Sequence, residues 1–263
     1  MKLTNRTILI TGGTSGIGRE LATQLLHRGN TVIVTGRDVA ALDAMMRALP
    51  GVHGFRSDVA DPADIAALNH AVLGAFPALD VLVNNAGIMR NLKLGHPRDL
   101  SDVTREIEIN LSGPVRMVQQ FLPHLRTRHE AAIVNVSSGL AFVPFPLSPV
   151  YSATKAAIHA YTQCLRVQLE GTGVAVIELA PPGVETPLFR DEFAEELKNE
   201  KAMDVAVLVR RAIAGIEAGK AEIRPGLSNV LKIMSRVAPG FMLAQFAKLG
   251  RPRASSRPDG ISA

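Results

Sequence analysis

The sequence predicts an α/β fold with one parallel sheet of about seven strands, and three observations support this prediction. The chain has 263 residues, which suits one large domain. Of these residues 47% are apolar, which excludes wholesale disorder. Short β-branched runs alternate with longer segments of helical period, and neither an internal repeat nor a second apolar core interrupts them. This alternation is the pattern of βαβ units on a parallel sheet.

Each strand is predicted from a short apolar run between turn residues, because strands buried on both faces have few polar positions. A weaker run near residues 221–224 would complete the sheet. The six stronger runs are residues 7–11, 31–35, 52–56, 81–84, 132–136 and 174–179.

Each helix is predicted from apolar residues that recur at helical spacing between the strands. Gly29, Gly51 and Gly171 follow three of these segments and are stop signals. The helical segments are residues 16–27, 39–49, 62–76, 100–126 and 151–168.

Three segments lie outside this regular pattern. Residues 186–201 follow a Pro-Gly turn and mix aromatic with charged side chains, as expected of a mobile flap over a site. Residues 225–249 form an amphipathic extension with a break at Pro239-Gly240, and residues 250–263 are expected to be a disordered basic tail. Residues 1–224 are therefore expected to form the main domain.

The extension carries apolar residues at near-helical spacing beside Lys232, Arg236 and Lys248. Such a stripe favours packing on its own domain or on a neighbouring subunit. Contact with a membrane surface and disorder are the alternatives. The apolar positions are Leu227, Val230, Leu231, Met234, Val237, Phe241, Met242 and Leu249.

The net charge of +5, with a pI near 9.7, is confined to this end of the chain. Residues 224–263 carry seven Lys and Arg against one acidic residue, whereas residues 1–223 carry 22 basic and 23 acidic residues. The main domain is nearly neutral. We therefore expect no nucleic-acid partner.

Cysteine usage and the N-terminal sequence bear on metal binding and location. The single cysteine, Cys164, cannot form an internal disulfide, and no Cys/His cluster has zinc-ligand spacing, so no metal site is predicted. The first residues do not resemble a signal peptide, and no apolar run approaches the roughly 18 residues of a membrane span. We therefore expect a cytoplasmic protein.

A glycine-rich loop, Thr-Gly-Gly-Thr-Ser-Gly-Ile-Gly at residues 11–18, joins the first strand to the first helix. Its glycines permit a tight turn and let backbone N–H groups approach a pyrophosphate at the helix N-terminus. No Gly-Lys-Ser/Thr follows, so a P-loop is excluded. The candidate contacts in the loop are Gly12, Thr14, Ser15, Gly16, Ile17 and Gly18.

The spacing of these glycines resembles that of the short-chain dehydrogenase/reductase family, and further motifs of that family follow in order. They are Asn84-Asn-Ala-Gly87, Asn110, Ser138, Tyr151-x-x-x-Lys155, and Pro182-Gly183 with Thr186. The resemblance covers residues 5–224. It implies a single Rossmann-type doubly wound domain, a nicotinamide cofactor, a small-molecule substrate and a homo-oligomer. Residues 181–187 and 223–227 further resemble the DltE-like subgroup.

The chemistry follows from the residue types. Tyr151 and Lys155 are one turn apart on a helix, and a nearby ammonium is expected to lower the pKa of the phenol from about 10. Tyr151 is then a general acid/base for a carbonyl or alcohol, and the Ser138 hydroxyl orients the substrate oxygen. Ser137 is the alternative for that role. Ser-Lys hydrolysis is disfavoured, because no Gly-x-Ser-x-Gly elbow occurs.

The resemblance implies further roles. Asn110 would hold a water that links Lys155 to solvent, although an asparagine satisfied by local backbone bonds is the alternative. Lys155 would also bind the nicotinamide ribose. Asn84, Ala86 and Gly87 would line the adenosine side, and Asp58 and Val59 would contact adenine. The carboxamide contacts would come from Pro182, Gly183, Val184 and Thr186.

The second strand ends Val34-Thr-Gly-Arg37 and indicates the cofactor. Gly36 stands where a carboxylate would bind the ribose of NAD, whereas Arg37 suits a 2′-phosphate. NADP(H) is therefore preferred. NAD(H) stays the alternative for two reasons. Asp38, one position after Arg37, could reach a ribose hydroxyl, and the glycine-rich loop carries Ser15 where a second basic residue would bind a phosphate.

Residues 139–147 are apolar, and Leu188, Phe189 and Phe193 follow in the flap. They indicate either a pocket for an apolar ketone or secondary alcohol, or packing of the loop on the core. Arg190 and Glu185 border this region and could bind a polar end group. A non-catalytic dinucleotide sensor is the alternative function. It would need only the glycine-rich loop and Arg37, so the additional presence of the catalytic candidates argues against it.

Overall fold

The structure, a computed structural model, describes residues 1–249 as one seven-stranded parallel sheet with helices on both faces. The predicted fold class is confirmed. The predicted tail, residues 250–263, lies outside the described residues. The strands are β1 (Thr7–Thr11), β2 (Thr31–Gly36), β3 (Val52–Arg56), β4 (Leu79–Asn84), β5 (Ala131–Val136), β6 (Val174–Leu179) and β7 (Glu222–Ile223).

The strand order is β3-β2-β1-β4-β5-β6-β7. The order reverses between β1 and β4, whose register pairs Leu9 with Leu82 and Ile10 with Val83. In open α/β sheets, ligands bind outside the carboxyl ends of the strands at such a switch point. The glycine-rich loop follows β1 and the Asn-Asn-Ala-Gly segment follows β4, so the topology brings both to this crevice.

The helices follow the strands in the expected alternation. One face of the sheet is packed by α1, α2 and α9, and the other by α3, α6 and α7. The bounds are α1 (Gly16–Leu26), α2 (Val39–Ala48), α3 (Pro62–Ala75), α4 (Leu100–Val103), α5 (Arg105–Ile107), α6 (Gly113–Leu125), α7 (Pro149–Gln168), α8 (Pro187–Arg190), α9 (Val205–Glu217), α10 (Leu227–Val237) and α11 (Pro239–Leu249).

The helix predicted for residues 100–126 is interrupted. It divides into α4, α5, a π-helical turn over Glu108–Ser112, and α6. Pro114 stands in the first turn of α6 and has no N–H to donate to the carbonyl of Asn110, four residues earlier. Regular α-helical bonding therefore cannot continue through this turn, and π-turns are frequent at functional sites.

Helix α9 was not among the predicted elements. Asp204 accepts a hydrogen bond from the backbone N–H of Val207 at 2.9 Å and caps this helix. Leu208, Ala212 and Ile216 then recur at four-residue spacing and are buried on the sheet. An Asp cap before apolar residues at helical spacing was the available signal.

The C-terminal extension forms two helices, with Pro239 in the first turn of α11 at the predicted break. Ser228 and Leu231 of α10 are buried, and a Cβ on Gly139 would lie 2.9 Å from the Ser228 Oγ. The ring of Phe246, on α11, lies 6.0 Å from that of Phe145. Both helices therefore pack on the main domain beside the loop that follows β5. Within residues 1–249, none of the helices is long and apolar enough to cross a membrane.

Candidate active site

A cavity of about 720 Å³ opens at the carboxyl edge of the sheet, at the switch point between β1 and β4. The glycine-rich loop, the end of β2 and the segment after β3 line one end. Apolar side chains from the loop after β5, from the flap and from α10 and α11 line the other. Ser138, Tyr151 and Lys155 also line this cavity.

The glycine-rich loop is held against the segment that follows β4. Gly12 has a φ of +65°, and a Cβ there would lie 2.8 Å from the Cα of Ala86. A Cβ on Gly18 would lie 2.2 Å from the carbonyl oxygen of Gly12. The amide of Asn85 donates to the carbonyls of Thr11 and Gly12, each at 3.0 Å. Only glycine therefore permits this approach of helix, loop and strand.

The cavity fits a nicotinamide dinucleotide. Helix α1 begins at the cavity wall, where Gly16 and Ile17 present the unpaired N–H groups of its first turn. These groups favour an anion such as a pyrophosphate. When bound, the cofactor supplies or accepts the hydride of the reaction.

Charged groups from β2 and from the segment after β3 lie at the far end of this half of the cavity. The guanidinium of Arg37 is 46% exposed and lies 3.9 Å from the carboxylate of Asp58. The carboxylate of Asp38 accepts from the backbone N–H of Ala41 at 3.2 Å and caps α2. Asp38 therefore already has a structural partner, whereas Arg37 is accessible to a ligand.

Tyr151 and Lys155 lie on the buried face of α7. Their side chains are 7% and 4% exposed, and the ammonium lies 5.4 Å from the centre of the phenol ring. Lys155 donates to the carbonyl of Val136, the last residue of β5, at 2.9 Å. A Cβ on Gly87 would lie 3.7 Å from this ammonium, so the segment after β4 also reaches it.

The two serines after β5 differ in their partners. Ser137 donates its hydroxyl to the buried carboxylate of Glu178. Ser138 accepts at its Oγ from the backbone N–H of Leu140 at 3.1 Å, which leaves its own proton available. Ser138 also interacts with the Tyr151 phenol. The geometry thus favours Ser138 over Ser137 as the group that orients a substrate oxygen.

Burial sets the proton affinities of the pair. Removal from water raises the pKa of Tyr151 to about 12, and the bond with Ser138 offsets only part of that increase. Burial lowers the pKa of Lys155 to about 8. The predicted lowering of the Tyr151 pKa by Lys155 is opposite to the direction found. Loss of hydration is the largest cause of the rise and the Glu106 carboxylate adds to it, whereas the Lys155 ammonium donates to the Val136 carbonyl.

Asn110 lies in the π-helical turn with its side chain buried. Its Oδ1 accepts from the N–H of Ile88 at 2.9 Å, and its Nδ2 donates to the carbonyl of Ile88 at 2.8 Å. These bonds tie the segment after β4 to the turn, and their backbone partner is distant in the chain, not local as in the alternative considered for this residue. The carbonyl of Asn110 receives no hydrogen bond from Pro114, which has no N–H. The water-relay role stays a prediction.

Three predicted site residues do not line the cavity: Gly18, Asn84 and Asn110. Asn84 donates to the side chain of Asn135 on β5 at 2.8 Å and so points into the sheet. The next residue, Asn85, faces the glycine-rich loop and was missed. The predicted residues that do line the cavity are Gly12, Thr14, Ser15, Gly16, Ile17, Arg37, Asp58, Val59, Ala86, Gly87, Ser138, Tyr151, Lys155, Pro182, Gly183, Val184 and Thr186.

The loop after β6 closes over the glycine-rich loop. A Cβ on Gly16 would lie 3.4 Å from the methyl group of Thr186. Val184 forms a parallel bridge with Met203, which secures the far end of the flap. A Cβ on Gly183 would lie 2.8 Å from the ring of Phe189, so the flap packs directly on this loop.

The apolar end of the cavity includes part of the predicted pocket. Leu140, Phe145, Leu188 and Phe189 line it, and Leu231 and Phe246 of the extension complete the wall. Phe142 and Phe193 instead pack away from the cavity, against His159 and Phe145 respectively. Both alternatives for this segment therefore apply, each to different residues.

The two charged residues that border the flap pair with each other. The Arg190 Nε donates to a carboxylate oxygen of Glu185 at 2.9 Å, and its guanidinium also donates to the carbonyl of Leu197. Neither residue lines the cavity. They brace the flap, and outside the cavity wall they are not placed to bind a polar end group of a substrate.

Comparison with known proteins agrees with this geometry. Residues 6–197 match the family described as short chain dehydrogenase. The chain therefore belongs to the short-chain dehydrogenase/reductase family and is an oxidoreductase. The resemblance predicted from the motifs is confirmed.

Individual proteins similar to this chain include a bacterial oxidoreductase, and a dehydrogenase and a reductase of known structure. The uncharacterized oxidoreductase DltE of Bacillus subtilis (strain 168) is 45% identical over 225 residues, which cover 85% of this chain and 89% of the relative. A Burkholderia cenocepacia short-chain dehydrogenase in complex with NADP is 25% identical, with a TM-score of 0.80 over 96% of this chain and 100% of that one. A Brucella melitensis 3-ketoacyl-(acyl-carrier-protein) reductase complexed with NADH is 27% identical, with a TM-score of 0.76 over 84% and 96%.

Proposed function

We propose that this protein is an NADPH-dependent reductase of apolar ketones. The observation that carries the proposal is the position of Ser138, Tyr151 and Lys155 in a cavity that has a dinucleotide-binding end and an apolar end. A carbonyl carbon placed at this junction would lie between the hydride donor and the proton donor. A pure dinucleotide sensor needs neither the serine nor the tyrosine.

The protonation state of Tyr151 suits the role of a proton donor. With a pKa of about 12 the phenol is protonated at neutral pH. It can donate its proton to the alkoxide that forms as hydride reaches the carbonyl carbon.

The neighbouring residues act on binding and orientation. The Ser138 hydroxyl donates to the substrate oxygen and holds it beside the phenol. Lys155 binds the nicotinamide ribose through an ammonium held near the Val136 carbonyl. Asn110 holds the segment after β4 in place and positions the relay water next to Lys155.

The preference for NADPH rests on Arg37 and on the absence of a competing acid at Gly36. A 2′-phosphate would accept charge-assisted hydrogen bonds from the guanidinium. Asp38 would favour NADH binding less than a free carboxylate would, since its side chain caps α2. NAD(H) is the alternative cofactor.

The apolar wall supports an apolar substrate. Phe145, Phe189, Leu231 and Phe246 present no charge to the end of the cavity next to Tyr151. A ketone with a hydrocarbon or aromatic body would bury that body there.

The proposal is tested by NADPH oxidation on a panel of ketones of increasing hydrocarbon length, in the wild type and in Tyr151→Phe. We expect turnover in the wild type that rises with apolar length and is lost in the variant. NADPH binding, followed by fluorescence, should persist in both. Binding without turnover on any carbonyl would favour the dinucleotide sensor.

A further inference from the structure

Helices α10 and α11 present an apolar surface to solvent, apart from the side chains with which they pack on the domain. We call it the outer apolar face. Within residues 1–249, twelve large apolar side chains are exposed, and half of them belong to this short segment. The six are Leu227, Val230, Ile233, Val237, Phe241 and Leu243.

The arrangement on α10 shows that this face is separate from the core contact. Ser228 and Leu231 are buried against the domain. Leu227, Val230 and Val237 follow a three- and four-residue helical spacing on another side, where they are 55%, 49% and 74% exposed. Packing on the domain therefore accounts for only part of the apolar stripe.

The charge that α10 and α11 themselves carry has one sign. Arg236 and Lys248 are exposed beside it. Between Glu222 and Asp259 the sequence has no acidic residue, and residues 224–263 carry seven basic residues against one acidic residue. Lys232 and Arg224 already pair with Glu222, so that carboxylate does not neutralise Arg236 or Lys248.

This charge distinguishes between two partners. In a two-fold contact between copies, the same patch meets itself, and the basic residues of the two helices would face the basic residues of their copies. An anionic lipid surface would accept the apolar side chains and neutralise the basic ones. We propose that the outer apolar face binds the surface of an anionic bilayer, with α10 and α11 lying in its plane.

The same helices form part of the cavity wall. Leu227 is exposed on the outer apolar face and also lines the cavity, so the rim of the cavity meets this face. Leu231, Phe246 and Leu249 line the cavity from within. A bound protein would hold the apolar end of its site next to the bilayer, where an apolar ketone partitions. This consequence, unlike bilayer binding itself, rests on the proposed function.

The test is co-sedimentation of the full chain with vesicles of phosphatidylcholine containing about 30% phosphatidylglycerol, and with phosphatidylcholine vesicles alone. The wild type should bind the anionic vesicles and bind the neutral ones much less. The triple variant Val230→Ser, Ile233→Ser, Val237→Ser should bind at least about tenfold more weakly. Arg236→Gln and Lys248→Gln should each weaken binding about fivefold and serve if the triple variant does not fold.

A matched control removes exposed apolar side chains elsewhere. Val39 and Val167 are 56% and 67% exposed on α2 and α7, and their serine variants should bind vesicles as the wild type does. Absence of wild-type binding to the anionic vesicles would overturn the proposal, and so would Arg236→Gln and Lys248→Gln variants that bind as tightly as the wild type. Light scattering that shows a wild-type oligomer dissociated by the triple variant, without vesicle binding, would assign the face to a second copy. Vesicle binding needs no substrate, so its outcome is independent of whether ketones are turned over.

Discussion

Replacement of Arg37 by alanine tests the cofactor assignment, because this side chain is the one cation of the β2 end that lines the cavity. A charge-assisted hydrogen bond contributes roughly 1.5–3 kcal/mol. The Arg37 guanidinium is 46% exposed and lies 3.9 Å from the Asp58 carboxylate. Solvent screening and this existing ion pair both favour the lower part of that range. We expect a loss of about 2 kcal/mol in transition-state binding with NADPH, which is roughly 30-fold in kcat/KM.

The assay compares kcat/KM for NADPH and NADH on one ketone. NADH has no 2′-phosphate, so its kcat/KM should change less than about threefold in Arg37→Ala. Arg56→Ala is the matched control, because Arg56 is also about half exposed and pairs with Asp64 but does not line the cavity. Equal use of the two cofactors by the wild type, or an equal loss for both in Arg37→Ala, would refute the assignment.

Three further predictions concern catalysis, packing and pH. Tyr151→Phe should lower kcat by about 10²–10⁴-fold in steady-state assays and leave the NADPH Kd within about threefold. Gly18→Ala should lower the free energy of unfolding by about 1–3 kcal/mol in urea titrations, since its Cβ would lie 2.2 Å from the Gly12 carbonyl oxygen. At Gly74, in α3, an added Cβ would meet no neighbouring atom within 4 Å. Gly74→Ala should therefore raise the free energy of unfolding by about 0.5–1 kcal/mol. Burial raises the pKa of Glu106 to about 7, so the folded protein holds this proton more tightly than the unfolded chain. Stability should therefore fall by about 2 kcal/mol from pH 5 to pH 7, relative to Glu106→Gln.

Each of these has a contrary outcome. Substantial turnover by Tyr151→Phe would remove Tyr151 as the proton donor. Equal effects of alanine at Gly18 and Gly74 would show that the close approach at the glycine-rich loop is relaxed in solution. Parallel pH profiles for the wild type and Glu106→Gln would mean that Glu106 ionises as an exposed carboxyl does.

Much of the dinucleotide-binding end could be predicted because its signals are local. A strand, a glycine-rich turn and a helix N-terminus are contiguous in the chain, and glycine spacing reports directly on their geometry. The asparagine assignment was less successful. Successive side chains of a strand point to opposite faces, so the choice between Asn84 and Asn85 depends on how β4 sits in the sheet.

The sequence by itself determined the class of fold, the family and most of the residues predicted to line the candidate site. Apolar period, glycine spacing and the Tyr-x-x-x-Lys pair are properties of neighbouring residues. Only the tertiary structure decided that Ser137 is engaged by Glu178, that α10 and α11 form a wall of the cavity, and that the pKa of Tyr151 rises. Each of these depends on residues distant in the chain, because burial and hydration are sums over everything that packs around a group.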